Sequence, residues 1–326
     1  MVIVLIGISI ITFTIARVVP SDPAQAWAGP RAKEEQVAEA RKMLGLDKPL
    51  YMQYLMYMKG LIHGELGRSI STKREVSYDI KLFFPHTLEL TAIALLFAIM
   101  VGIPLGIICA LRRNSILDHF FRFVSISGVS IPIFWLGIML QILFFQKLGI
   151  LPLEGVTSFQ TQFNHPLERI TGFFILDSLL TRNWVTLKEV LIHMILPVIC
   201  LSYSSLATIM RMTRSSMLEV LNKEFIKTEK AYGLSEKIII YKHCLRNALV
   251  PVTSIIGLTF GYLLGGDVLI ESVFSWPGIG RYTVNAIMRV DYPAIMGVTL
   301  IYAFSYMLIN FIVDILHAYI DPRITY

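Results

Sequence analysis

The three cysteines and seven histidines are the residues of this sequence most suited to nucleophilic or metal chemistry, and their spacing supports neither. Cys109 and Cys200 fall in apolar runs and Cys244 in a basic segment, with no Cys-x-x-Cys pair and no disulfide framework. The histidines are scattered, without an HExxH pattern or a Cys/His cluster, so a metal site built by this chain is not expected. No Ser/His, paired-Asp or zinc-site spacing points to a hydrolase working at membrane depth. The GxxxxGK[ST] phosphate loop is missing too, so nucleotide would have to be handled by another polypeptide. What remains is a set of polar side chains inside apolar runs: Glu89, His193, Asp267, Asn310 and Asp314. An unpaired charge in hydrocarbon is costly, so such residues mark either a transport path or an internal hydrogen bond. Glu89 and His193 lie within a turn of a run's end and reach the interface equally well. Asp267, in the stretch GGDVLIE, faces either a water-filled path or the outer interface. Asp314 follows Asn310 by one helical turn, which suits a structural hydrogen bond to a neighbouring helix.

The elements that must carry these residues follow from composition. With 326 residues, 55% hydrophobic and 16% charged, and a mean hydropathy of +0.64, the chain is too apolar for a soluble domain of this size. An all-α polytopic membrane protein with six transmembrane helices is expected. The first occupies residues 1–19, and a signal peptide is disfavoured because neither a basic start nor a small-residue cleavage site is evident. An external domain spans residues 20–86. Within the core, residues 87–318, the remaining spans are Thr87–Leu111, Phe120–Phe145, Leu191–Met210, Pro251–Ile270 and Ala294–Ala318, each long enough for a hydrocarbon layer of about 30 Å. Residues 319–326 form a tail. The external domain should hold two amphipathic helices, Lys33–Leu44 stopped by Gly45 and Leu50–His63. The second presents Tyr51, Tyr54, Leu55, Met58 and Leu61 as a stripe to be buried. After them, GELGRSISTKREV is polar and Gly-punctuated enough to stay mobile.

The net charge of +6 and pI near 9.1 come from basic residues at span ends, without the aromatic interleaving of a nucleic-acid groove. The short loop after the second span and the segment between the fourth and fifth carry Arg112, Arg113 and eight further basic residues from Arg211 to Arg246. By the positive-inside rule these loops, and both chain termini, are cytoplasmic.

The longest charged, helix-forming stretch between two spans is Glu219–Pro251, EVLNKEFIKTEKAYGLSEKIIIYKHCLRNALVP. Lys223 to Tyr232 favours helix, Gly233 interrupts it, and Ser235 is suited to cap a second short helix from Glu236. From composition alone an ordinary basic loop fits as well. On the other side of the membrane, ESVFSWPGIGR (Glu271–Arg281) has Pro-Gly and Gly-Arg turn chemistry flanked by Phe274 and Trp276, a pattern for an aromatic anchor at the outer interface. It serves there as an elbow or as part of an outer gate.

The spacing around Gly233 resembles the coupling loop of ABC-importer permeases, in which an EAA triplet, three residues, a glycine, nine residues and I-x-L-P follow in order. Here the triplet slot holds Lys227, Thr228 and Glu229, and the proline slot holds Arg246, with Pro251 five residues on. The tail HCLRNALVP, the external SDPA, RKMLGLDKPLYMQY and GELGRS, and the ESVFSWPGIGR stretch are similar to the B-type permeases of peptide, nickel and opine importers. The resemblance departs from the family at Glu65 and at Glu75–Val76, where members usually carry Asp and Pro-Val. It implies a type I importer permease fold and a multi-pass subunit of a prokaryotic inner or plasma membrane. It also implies a C-type permease partner, two ATPase subunits that bind ATP and Mg, and an external binding protein. No cofactor is implied for this chain, which would be a transport subunit and not an enzyme. In the implied coupling loop, residues 214–248, Ala231, Gly233 and Leu234 would meet an ATPase by shape, Glu229 and Lys230 by charge, with Ser235 capping. Asp267, Trp276, Asn310 and Asp314 are the candidates for the translocation path or gate. Peptides are the expected cargo, with oligosaccharides and nickel or other metal chelates as alternatives. A secondary transporter driven by an ion gradient is disfavoured, because no inverted repeat or broken binding helix is evident.

Overall fold

A computed structural model describes residues 2–18, 22–29 and 31–320, and among these the chain is helical, with an isolated bridge between Arg68 and Glu75. The elements are α1 (Val2–Val18), α2 (Pro23–Ala28), α3 (Glu34–Met43), α4 (Leu50–Ile62), α5 (Val76–Leu111), α6 (Ile116–Ser130), α7 (Ile133–Gln141), α8 (Phe159–Asn164), α9 (Phe174–Leu180), α10 (Trp184–Leu221), α11 (Glu224–Ala231), α12 (Glu236–Ile238), α13 (Leu245–Val273), α14 (Ile279–Met288) and α15 (Tyr292–Ile320). Two π-helical turns, Ile142–Lys147 and Ile239–Cys244, extend α7 and join α12 to α13.

Among the described residues, four helices are long and apolar enough to cross a membrane: α5, α10, the stretch Glu236–Gly265 containing most of α13, and α15. The pair α6 and α7 makes a fifth if taken together, although bent by 107°, and Ile3–Arg17 is a shorter apolar helix. The bend corrects the expectation of one continuous span over Phe120–Phe145. Its cause is local. Ile131 precedes a proline, which drives it to an extended conformation (φ −84°, ψ 126°), and Pro132 has no N–H to continue the ladder, so α6 stops at Ser130 and α7 restarts after Pro132. By contrast, Pro85, Pro104, Pro197 and Pro251 sit inside helices, where neighbouring helices can satisfy freed backbone groups. As a result α5 begins at Val76, inside the stretch assigned to the external domain.

α5 and α10 form the central pair. They approach closely because small residues face the contact: a Cβ added at Gly106 would lie 2.6 Å from Thr213 Cβ and 2.7 Å from the Met210 carbonyl oxygen. Two apolar clusters sit at opposite ends of this pair. One joins Leu90, Val190, Leu196, Leu263, Phe274 and Trp276, the other Ile107, Ala110, Met217, Val220, Ile226 and Ile239.

The segment between α1 and α5 forms both expected helices, as α3 and α4, but with α4 rotated from the expected stripe. Tyr54 and Tyr57 face inward, their rings 5.3 and 6.0 Å from that of Phe13 on α1, and Ser9 shares a 2.9 Å hydrogen bond with the Tyr54 hydroxyl. Tyr51 and Leu55 point outward, 69% and 62% exposed. The polar stretch after α4 is pinned, contrary to the expectation of a free loop. Ser69 donates to buried Asp291 at 2.5 Å, the Ser71 N–H donates to the same oxygen at 2.8 Å, and Thr72 donates to buried Asp79 at 2.5 Å.

Candidate functional site

The turn between α11 and α12 is built as its residues dictate. Gly233 has φ +75°, the left-handed conformation that ends a helix and that glycine adopts without a Cβ penalty. The Gly233 N–H donates to the Lys230 carbonyl and the Leu234 N–H to that of Glu229, closing α11. Ser235 is extended (φ −63°, ψ 142°) at the start of α12, and its side chain makes no capping hydrogen bond. Beneath the turn, Ile226 and Ile239 are fully buried in the cluster made with the ends of α5 and α10. Above it, Lys230, Ala231, Gly233, Leu234 and Ser235 are exposed, with Tyr232 the most prominent at 83%. The turn is fastened on one side and open on the other, and an added Cβ at Gly233 would meet nothing within 4 Å. Glu229 departs from its expected outward role: it turns inward, 2.8 Å from His243 Nδ1, and ties α11 to the π-helical turn.

A further fastening in this half of the molecule was not legible beforehand. Fully buried Asp118, in the first turn of α6, receives Arg214 Nε at 2.7 Å and Nη2 at 2.8 Å from α10, and the Asn114 N–H at 3.0 Å. This two-pronged geometry couples α6 to α10 immediately before the turn.

In the other half, Trp276 is not the interfacial anchor its neighbours suggested. It is fully buried beside Phe274, and its indole N–H donates to the His86 carbonyl at 3.2 Å. His86 in turn donates from Nδ1 to the Pro277 carbonyl at 2.8 Å and stacks on Phe174 with centroids 4.1 Å apart. The organising group is Glu271, also fully buried. Its carboxylate receives the Thr87 hydroxyl and the Arg281 N–H at 2.9 Å, while Thr87 Oγ accepts the Ile279 N–H at 2.8 Å. The orphan donors at the start of α14 are thus capped by groups from α5 and α13. A side chain at Gly278 would collide with the Glu271 carboxylate. Glu89 is likewise buried and accepts the Phe174 and Ile175 N–H groups at 2.9 and 2.8 Å, capping α9. His193 lies against the Glu154 and Gly155 carbonyls at 3.2 Å.

Of the remaining candidates, Asn310 donates to the Tyr306 carbonyl of its own helix at 3.0 Å. Asp314 is exposed one turn further along α15. The Asp267 side chain lies outside the described residues. The structure therefore gathers the six residues of the turn into one region and does not bring Trp276 together with Asn310 and Asp314.

The α6–α7 break adds a feature the sequence did not signal beyond its Ser-Ile-Pro. Beside it is a cavity of about 280 Å³ whose polar lining includes Ser130, Tyr203, Ser204 and Tyr262, with no Asp, Glu, His, Lys or Arg among the described residues that line it. Tyr203 and Ser127 share a 2.7 Å hydrogen bond at its edge. Among the described residues no His, Cys, Asp or Glu cluster has metal-binding geometry.

Comparison with known proteins accounts for nearly the whole chain. Residues 102–326 match the model of the binding-protein-dependent transport system inner membrane component, and residues 1–91 match that of its N-terminal companion. The chain is 44% identical over 324 residues to a probable D,D-dipeptide transport system permease protein of Escherichia coli, covering 99% of this chain and 94% of that one. It is also 44% identical to a dipeptide transport system permease protein of Alkalihalophilus pseudofirmus, covering 99% and 96%. A glutathione transport system permease protein of Escherichia coli is 36% identical, over 98% and 94%. Among solved structures, an inward-facing form of the MetNI methionine ABC transporter aligns with a TM-score of 0.51 at 18% identity, over 72% of this chain and 93% of that one.

Proposed function

The chain belongs to the family of binding-protein-dependent transport system inner membrane components, and on that premise we propose that it is the B-type permease of an ATP-driven importer of di- or oligopeptides. It pairs with a C-type permease of similar size, two ATPase subunits and an external binding protein, and forms half of the translocation path. The reading uses six crossings, made by α1, α5, the bent α6–α7 pair, α10, α13 and α15, with both termini cytoplasmic as the basic loops require.

The observation that carries it is the turn around Gly233. A surface that is exposed and basic, with Tyr232 and Leu234 at its crest and Ile226 and Ile239 locked beneath, has the construction needed to take force from a partner and deliver it to α10 and α13. ATP and Mg are bound by the partner, because this sequence has no phosphate-binding loop. The cavity at the α6–α7 break contributes the hydroxyls of Ser130, Tyr203, Ser204 and Tyr262, suited to hydrogen-bonding the backbone of a passing peptide. The external segment around Arg68 and Lys73 meets the binding protein, on the side from which cargo arrives.

The test is uptake of dipeptides into proteoliposomes holding the complete complex, with and without ATP and binding protein. Uptake driven by an ion gradient alone would assign the chain to the secondary transporters. Ligand-induced thermal shifts of the binding protein separate peptides from oligosaccharides and metal chelates, since a ligand stabilises by mass action. Reversing charge at Arg68 and Lys73 should weaken binding-protein-stimulated ATPase activity, and unchanged stimulation would remove the external segment from the contact.

A further inference from the structure

α3 and α4 are adjacent in sequence and differ in what they turn outward. The exposed face of α3 carries Glu34, Glu35, Glu39, Arg41 and Lys42, as a helix in water should. The exposed face of α4 carries Tyr51, Met52, Leu55, Met56 and Ile62, with Lys59 as its one charge. In a 13-residue helix, an apolar face of that extent in water would be an association hazard.

The inner face of α4 fixes its depth. Tyr54 and Tyr57 pack on Phe13, and both the Tyr54 hydroxyl and Met58 Sδ reach Ser9. On α1, which ends at Val18, Phe13 and Ser9 lie about 6 and 12 Å below Arg17 at the helical rise per residue. α4 is therefore held against the middle of an apolar helix and not above its end. The surface of α1 next to it is of the same character, with Ile6, Ile10, Ile11 and Ile15 exposed. Between α1, α4 and α15 opens an apolar cleft of about 370 Å³, lined by Leu5, Ile6, Leu61, Ile62, Leu300 and Phe304.

We propose that α4 is a membrane-embedded helix of the outer leaflet, its outward face solvated by phospholipid acyl chains and the cleft beside it occupied by one of them. The occupant follows from continuity: the apolar face of α4 extends the lipid-facing surface of α1 at the same depth. Within α4, Lys59 is the charged residue that must extend along this surface to reach the headgroups, as a long amphipathic side chain does, while exposed His63 and Glu65 follow the end of the helix and mark where the chain turns back. The segment after α1 thus does not rise as a unit into water. It re-enters the leaflet through α4 before returning to the loop at Asp291.

This inference rests on α1 being a crossing, and the experiment separates the two. Cys109, Cys200 and Cys244 are buried, so nitroxide labels can be directed to cysteines introduced by Tyr51→Cys, Leu55→Cys and Ile62→Cys in the assembled complex in phospholipid nanodiscs. Ile11→Cys serves as the α1 control and Glu39→Cys as the water control. Accessibility to molecular oxygen should exceed that to a water-soluble nickel chelate at positions 51, 55, 62 and 11, and the order should invert at 39. Chelate accessibility at 51 and 55 with lipid exposure at 11 overturns the placement of α4 alone. Low accessibility to both reagents at 51 and 55 overturns it in favour of a protein partner. Chelate accessibility at 11 overturns both the crossing by α1 and the proposal.

Discussion

Replacing Gly233 separates two reasons for a glycine at the turn, and the structure sets the magnitude of each. Any L-residue there must hold φ +75°, at about 1–2 kcal/mol, and this strain is nearly the same for Gly233→Ala and Gly233→Leu. Within the chain an added Cβ meets nothing within 4 Å, so the Ala variant has no clash, and a Leu side chain starts from an exposed, open position. Against an ATPase groove closed around the turn, the larger side chain overpacks the contact by about 1–3 kcal/mol, which is roughly a five- to 150-fold loss of coupling. Gly233→Asn completes the set, because Asn tolerates the left-handed conformation yet brings nearly the bulk of Leu. The assay is binding-protein-stimulated ATPase activity and peptide uptake in complexes shown to contain all subunits. The expected order of activity is Gly, then Ala, with Asn and Leu both strongly uncoupled. If Asn matches Gly while Ala and Leu fall together, the glycine serves only its own backbone. Normal uptake by the Leu variant would refute the docking surface altogether.

Other outcomes follow from the fastenings. Gly106→Ala should lower the melting temperature of the complex, because its Cβ meets Thr213 at 2.6 Å and backbone at 2.7 Å, whereas Gly7→Ala, which meets nothing, should leave it unchanged. Arg214→Met strands Asp118 as a buried charge, at about 3–5 kcal/mol, and pairing it with Asp118→Leu should restore most of the stability in thermal unfolding. Outside the spans, burial pushes the Asp177 carboxyl up, but the Thr171 hydroxyl and the N–H groups of Thr171, Gly172 and Ile170 outweigh it and hold the group below the usual carboxylate range. A depressed carboxylate stabilises the fold above its unfolded value, about pH 4, and that stability is lost as pH falls through the folded value. The protection factor at Thr171–Gly172, exchange corrected for its intrinsic pH dependence, should therefore be high at neutral pH and fall in acid, and in Asp177→Asn it should already be low at neutral pH.

Legibility in the sequence followed the range of the interaction. The turn at Gly233 and Ser235 was readable because each residue's backbone preference acts within a few positions, and so were α3 and α4. The bend at Ile131–Pro132 was hidden by hydropathy, since a broken and an unbroken span have the same apolar content. Trp276 beside Pro-Gly reads as an interfacial aromatic, but its burial comes from packing on Leu90, Val190 and Leu263 and from the His86 carbonyl, 190 residues away. The same holds for Asp118 and Arg214, and for Asp291 with Ser69: each acid found its partner on an element far along the chain. The rotation of α4 turned on Tyr54, Tyr57 and Met58 meeting Phe13 and Ser9 of α1, which periodicity alone does not specify.

α10 runs for 38 residues, about 57 Å end to end across a hydrocarbon layer of about 30 Å. A beam of that length amplifies rotation: a tilt of about 5° about one end carries the other by about 5 Å. Its clamps differ in kind along its length. The third nearest the Gly233 turn is gripped by the Gly106 contact, by Asp118 and by the socket under Ile226 and Ile239. The opposite third is bedded in the cluster of Val190, Met194 and Leu196 with Leu90 and Trp276, and is tied at its end by Glu189 to Ser158 and by Asn183 and Thr186 to the His165 carbonyl. A rod seated in packed apolar clusters at both ends behaves as a lever and not as a hinge, so a swing imposed at either end would have to displace the cluster at the other.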